Sequence, residues 1–278
     1  MKTTSLLITP WLLRALERVL RFVAQDCILL YRGPAIRPSI ASASAGCGTT
    51  LRRMQFGDTA GYNPALRKIL PCVLLLPALA FAAEHNLGEL GKAGKLEVFN
   101  RTLDPTKAVA PDVVYLNAAA GDGLAWINGV EFSEGVLELE IKGKNVPGQS
   151  FVGLAFHGKD NQTFDAVYLR PFNFQVAERS NHSIQYISMP QHDWSDLRKN
   201  HPGKYEAAIT PVPDPEAWVK LKLVIEGKRV SAYVNGSNKP ALIVELLNDR
   251  LKGKVGLWVG NGSDGWYRKL KVTQTVEN

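Results

Sequence analysis

From residue 96 onward apolar residues recur at every second position, and this period limits what the chain can fold into. Leu137, Leu139 and Ile141 alternate with Glu138, Glu140 and Lys142, the pattern of a strand with one face on a core and one in water. The same alternation runs through Val152, Leu154 and Phe156, through Val167 and Leu169, and through Val219, Leu221, Leu223 and Ile225. Val230, Ala232 and Val234 lead into Asn235-Gly236, a pair that tolerates the left-handed backbone of a tight turn, and then into an apolar stretch at 241–244. Val255, Leu257 and Val259 precede Asn261-Gly262, and a last strand is expected around Leu270 and Val272. Helix signals are few; Asp193 is placed to cap a short turn over 194–199. Short strands punctuated by Gly, Asn and Pro predict an all-β antiparallel sandwich. No repeat or linker divides residues 83–278, so one domain is expected there.

The formal net charge of +7 misleads unless it is split along the chain. Residues 1–83 carry ten Lys/Arg against three Asp/Glu, whereas residues 84–278 hold 23 of each sign. The body is electrically balanced, so charge gives no ground for a nucleic-acid partner. The longest apolar run, residues 69–83, has 15 residues, short of the roughly 20 a spanning helix needs. With Arg67-Lys68 before it and Ala80-Phe81-Ala82 at its end, it reads as a secretory signal cleaved near Ala82. Such a signal belongs at an N-terminus, and Met54 supplies a start of ordinary spacing. Residues 1–53 are therefore expected to be an over-extended start, 54–82 a signal peptide and 83–278 the domain. The rival is an amphipathic targeting helix over 12–31. All three cysteines (Cys27, Cys47, Cys72) precede residue 84, so an exported domain would contain no disulfide.

If the large apolar residues at 151–157 and 164–170 face the core, the other face carries Gly153, Ala155, His157, Ala166, Tyr168 and Arg170. Small residues beside aromatic and cationic ones predict a shallow groove with donors at its edge. Pro171 ends the strand between Arg170 and Asn173. Arg170 either holds a ligand with its fixed fork of donors or pairs with Asp165 or Glu206 to pin a loop. Tyr168, Tyr186, Trp194 and Trp258 are candidate stacking platforms, while Trp218 and Trp266 read as packing residues. Glu138 and Glu140 share a strand face, but Glu alternating with Lys is the usual solvated side of a strand.

The stretch from Phe151 to His157, then Phe164 through Phe174 with its Tyr-Leu-Arg-Pro-Phe-Asn-Phe run, resembles the concanavalin A-like lectin/glucanase superfamily. Within it the chain is similar to bacterial exported proteins with 3-keto-disaccharide hydrolase-like and laminin G-like domains. Further matching pieces are Gln185-Tyr186-Ile187-Ser188, Leu197-Arg198, Gly203 to Glu206, Trp218, Val234-Asn235-Gly236 and Gly256 to Val259. The resemblance spans about residues 96–274 and implies a jelly-roll sandwich whose concave sheet binds a carbohydrate. It adds Gln185 and Arg198 to the candidate ligand contacts. The superfamily also contains hydrolases, for which Asp165 and Glu206 near Arg170 are the candidate catalytic acids, and protein-binding adhesion modules. His182, His192 and His201 are spaced unlike any zinc pattern, and no phosphate loop or dinucleotide fingerprint occurs. Neither a metal nor a cofactor is expected.

Overall fold

In the computed structural model residues 80–275 are described. The expected over-extended start and signal peptide lie outside the described residues, apart from positions 80–82. The chain begins with β1 (Ala80–His85), α1 (Leu87–Lys92), β2 (Leu96–Phe99), β3 (Val114–Leu116), β4 (Gly123–Phe132) and β5 (Gly135–Lys142). Next come β6 (Val152–Gly158), β7 (Phe164–Leu169), β8 (Ile184–Met189), α2 (Trp194–Asn200) and β9 (Glu206–Ala207). The last strands are β10 (Val219–Glu226), β11 (Arg229–Val234), β12 (Leu242–Glu245), β13 (Gly253–Val259) and β14 (Gly265–Thr275). They form two sheets in the orders β1-β14-β5-β10-β11-β12, with β3 also on β14, and β2-β4-β13-β6-β7-β8-β9. Every pairing is antiparallel. The fold is the all-β antiparallel sandwich that the alternation predicts.

The first sheet obeys the two-residue period. In β5, Leu137, Leu139 and Ile141 are buried while Glu138, Glu140 and Lys142 are half-buried. On β10 next to it, Leu221 and Leu223 sit opposite Leu139 and Leu137. Each such leucine removed from water contributes about 1.5–3 kcal/mol. Asn235 and Gly236, at φ 51° and 73°, make the tight turn after β11. Alanine at either would strain that left-handed backbone.

The second sheet departs from the pattern. Every residue of β6 and β7 is buried, whichever face it occupies. In β4 the run from Gly123 to Ile127 is likewise buried throughout. A strand covered on both sides has no reason to alternate, which is why β4 leaves no period in the sequence. Helix α1 is announced only by Asn86, whose side chain accepts from Glu89 N at 3.2 Å.

Candidate functional site

The residues of the second sheet that point away from the core form rows across its strands. One row runs Leu124, Trp258, Gly153, Tyr168, Gln185 and Glu206, each cross-strand partner of the next. Gly153 sits in the middle of it for a steric reason. A Cβ there would lie 2.4 Å from Val167 O and 2.5 Å from Tyr168 Cβ, so only glycine lets β6 and β7 approach this closely. The Tyr168 and Trp258 rings on either side come to 4.7 Å between centroids. Gly153 thus makes room for the protein's own aromatics, which fill the expected groove along this row.

The open space lies beside those rings, where α2 packs against β8. Asp193 caps α2 by accepting at Oδ1 from Ser195 N and Asp196 N, both at 2.8 Å, and this fixes the chain on which Trp194 stands. Trp194 is 50% exposed, unusual for so large an indole, and it borders two adjoining clefts together with Gly148 and Phe151. The first, of about 350 Å³, is lined by Tyr168, Trp258 and Ile187 and by the acids Asp122 and Asp193. The second, of about 220 Å³, is lined by Arg170, Asn173, Arg179, His182 and Arg198.

Electrostatics differ between the two. Burial raises the Asp122 carboxyl above its ordinary value, against the opposing pull of Arg101. The backbone N–H of Asp196 and the Ser195 hydroxyl and N–H hold Asp193 below its ordinary value. Trp258 is 3% exposed and its indole Nε1–H has no hydrogen-bond partner of good geometry, although it leans toward Asp122 and helps hold that charge. Behind the second cleft burial alone would raise Glu206, but Arg198 and His182 outweigh it and keep the carboxyl low. Arg198 donates to Glu206 from Nε at 3.1 Å and from Nη2 at 2.7 Å.

Of the residues expected at the site, Tyr168, Arg170, Asn173, Trp194, Arg198 and Trp258 line these clefts. Gln185 is wholly buried behind them, where its Oε1 accepts from Arg170 and Tyr168. Arg170 is 4% exposed. Its Nη1 donates to His182 O at 3.1 Å and faces Glu206 at 3.4 Å, and its Nη2 donates to the Tyr168 hydroxyl at 2.7 Å. Of the two roles the sequence left open, pairing with Glu206 is the one the geometry shows.

Three expectations are corrected. Tyr186 lies on the core side of β8, its hydroxyl donating to Asp165 Oδ1 at 2.6 Å, so it cannot serve as a platform in the groove. Asp165 is fully buried on that same side, where Asn248 and Arg250 also donate to it. It faces away from Arg170 because adjacent strand positions alternate, and the expected pairing of the two does not form. His157 is fully buried at a kink where its φ is 49° and the β13 register shifts. Its Nε2 lies 2.8 Å from Ser133 O, away from the clefts. Glu138 and Glu140 engage Lys220, Arg268 and Lys269 on the outside of the first sheet. Among the described residues no group of three or more His, Cys, Asp or Glu is placed to hold a metal ion.

Asp122 and Arg179 line the clefts without any signal in the sequence, and Phe151, marked there only as the start of the stretch to His157, lines both. Each stands in or beside a connection, and only the pairing of distant strands brings them together.

No protein-family model matches the sequence, and no curated protein matches it. Among solved structures the chain is similar to the carbohydrate-binding module CBM66 from Bacillus subtilis, at 16% identity over 66% of this chain and 93% of that one, TM-score 0.43. It is similar to a Bacillus subtilis protein of unknown function with a galectin-like fold, at 15% identity over 70% and 96%, TM-score 0.47. A third likeness is to the exoplasmic/lumenal domain of VIP36 in its Ca2+/Man3GlcNAc-bound form, at 14% identity over 67% and 86%, TM-score 0.45.

Proposed function

We propose that this protein binds a carbohydrate on the outer face of its second sheet, in the clefts either side of Trp194. The observation that carries the reading is Trp194 itself, a half-exposed indole at the rim of a cleft lined by Tyr168 and Trp258. A pyranose presents C–H groups to an aromatic face and hydroxyls at its edge. The carboxyls of Asp122 and Asp193 supply two acceptors at that edge. A cleft of about 560 Å³ beside α1 is larger, but its walls are mainly apolar, poor complements to a sugar. We place the protein outside the cytoplasm, with cleavage near Ala82; residues 83–85 of β1 would then still pair with 270–272.

The test is a glycan array followed by calorimetric titration of the best ligand against wild type and Trp194→Ala. Losing one stacked face costs about 0.5–1.5 kcal/mol, so affinity should fall up to roughly tenfold while the thermal midpoint holds. An array with no ligand overturns the reading.

A second reading, glycoside hydrolysis, is favoured by Asp122 and Asp193. Two carboxyls lining one cleft with environments that push their proton affinities apart are the pattern of an acid paired with a base or nucleophile. Asp122, raised by burial, is then the candidate acid, and Asp193, held low by its helix-cap hydrogen bonds, its candidate partner. Under this reading Asp122→Asn abolishes turnover of a glycoside that the wild type cleaves, and leaves its binding intact.

A further inference from the structure

The smaller cleft has a charge that a neutral sugar does not need. Three guanidinium groups, Arg170, Arg179 and Arg198, line it together with His182. Glu206 is the only carboxylate paired with them among the described residues. Arg170 is buried and engaged on both terminal nitrogens, so it backs the cleft. Arg198 is held at the rim, its guanidinium 5.2 Å over the Trp194 ring and two of its nitrogens on Glu206. Arg179 stands on the 3-10 turn Ala177–His182, is exposed, and forms no ion pair among the described residues. Asn173, 4% exposed, gives its Nδ2 to His182 O at 3.1 Å, while its Oδ1 has no partner. A buried acceptor left open in a cleft wall costs free energy until a donor reaches it.

Across Trp194 the larger cleft carries Asp122 and Asp193 instead. An anionic group is repelled there and drawn to the arginine side, so the pair of clefts has a direction. The body of the chain is balanced, with 23 basic and 23 acidic residues over 84–278. The excess is thus local, sized for one anionic group and unlike the broad basic face that a nucleic acid takes.

Resting on the reading of these clefts as a glycan site, we infer that the ligand is an acidic saccharide whose carboxylate or sulfate sits between Arg179 and Arg198 while a neighbouring ring lies against Trp194. A hydroxyl of the same residue donates to Asn173 Oδ1. Guanidinium suits both anions because its planar fork matches their paired oxygens.

The experiment titrates the full chain with three probes: a galacturonic acid trisaccharide, its neutral methyl ester and a sulfated galactan trisaccharide. Arg179→Ala is compared with Arg229→Ala, which removes an exposed charge at the start of β11 on the other sheet. At least one acidic probe should bind about tenfold more tightly than the ester, and Arg179→Ala should erase that advantage without altering ester binding. Arg229→Ala should keep it, and added salt should narrow it. Preference for the uronate or for the sulfate decides which anion is read. Equal binding of all three probes overturns the acidic inference and leaves the glycan site standing. Equal loss in Arg229→Ala shows diffuse attraction and also overturns it. Failure of all three to bind overturns it too, and the array then decides the glycan reading on its own.

Discussion

Arg250 Nη2 donates to Asp165 Oδ2 at 2.9 Å, and this pair lies on the opposite face of β7 from Arg170. The carboxylate also accepts from Tyr186 and Asn248, so it is a fully satisfied buried anion tying β7 and β8 to the connection after β12. Asp165→Ala removes the anion and strands a partly buried guanidinium, a change that costs about 3–5 kcal/mol in buried pairs. Urea unfolding should show that loss. Glycan affinity, measured where both proteins are folded, should remain unchanged.

Arg170→Ala should act on stability before affinity. Its partners each keep a second contact: Glu206 keeps Arg198, His182 O keeps Asn173, and Gln185 keeps Tyr168. The cost is therefore that of hydrogen bonds to a charged group, about 1.5–3 kcal/mol, read as a lower denaturation midpoint. A tenfold or greater loss of affinity at unchanged stability would instead assign Arg170 to the ligand.

Acidification should weaken the fold through His157. Burial holds its imidazole below the ordinary value of 6.5, with the Ser133 carbonyl and Asp165 opposing only in part. Below about 6.5 the unfolded chain takes up a proton that the folded chain refuses, so stability falls as pH drops through that value and is fully present above it. His85 is shifted the same way by burial. Thermal midpoints of wild type and His157→Gln between pH 7.5 and 5.5 isolate the contribution, and the variant should show the smaller slope.

The strands of the first sheet were legible in the sequence because each has one wet face. The leucines of β5 and β10 alternate with charges, and a two-residue period survives wherever water touches one side. The turn at Asn235-Gly236 and the cap at Asp193 were legible for a similar reason, as local backbone demands met by the residue on the spot. Tyr168, Trp194 and Trp258 stood out as large aromatics among small neighbours, and they do line one cleft. Tertiary structure alone decided which side of the second sheet each residue took. Its central strands β6 and β7 are buried on both faces, so period two carried no distinction between core and groove, and Tyr186, Asp165 and His157 went inward. It alone also brought Asp122, Phe151 and Arg179 to the same rim as Trp194. These positions lie far apart along the chain, and they meet only because β4, β13, β6, β7 and β8 lie side by side in one sheet.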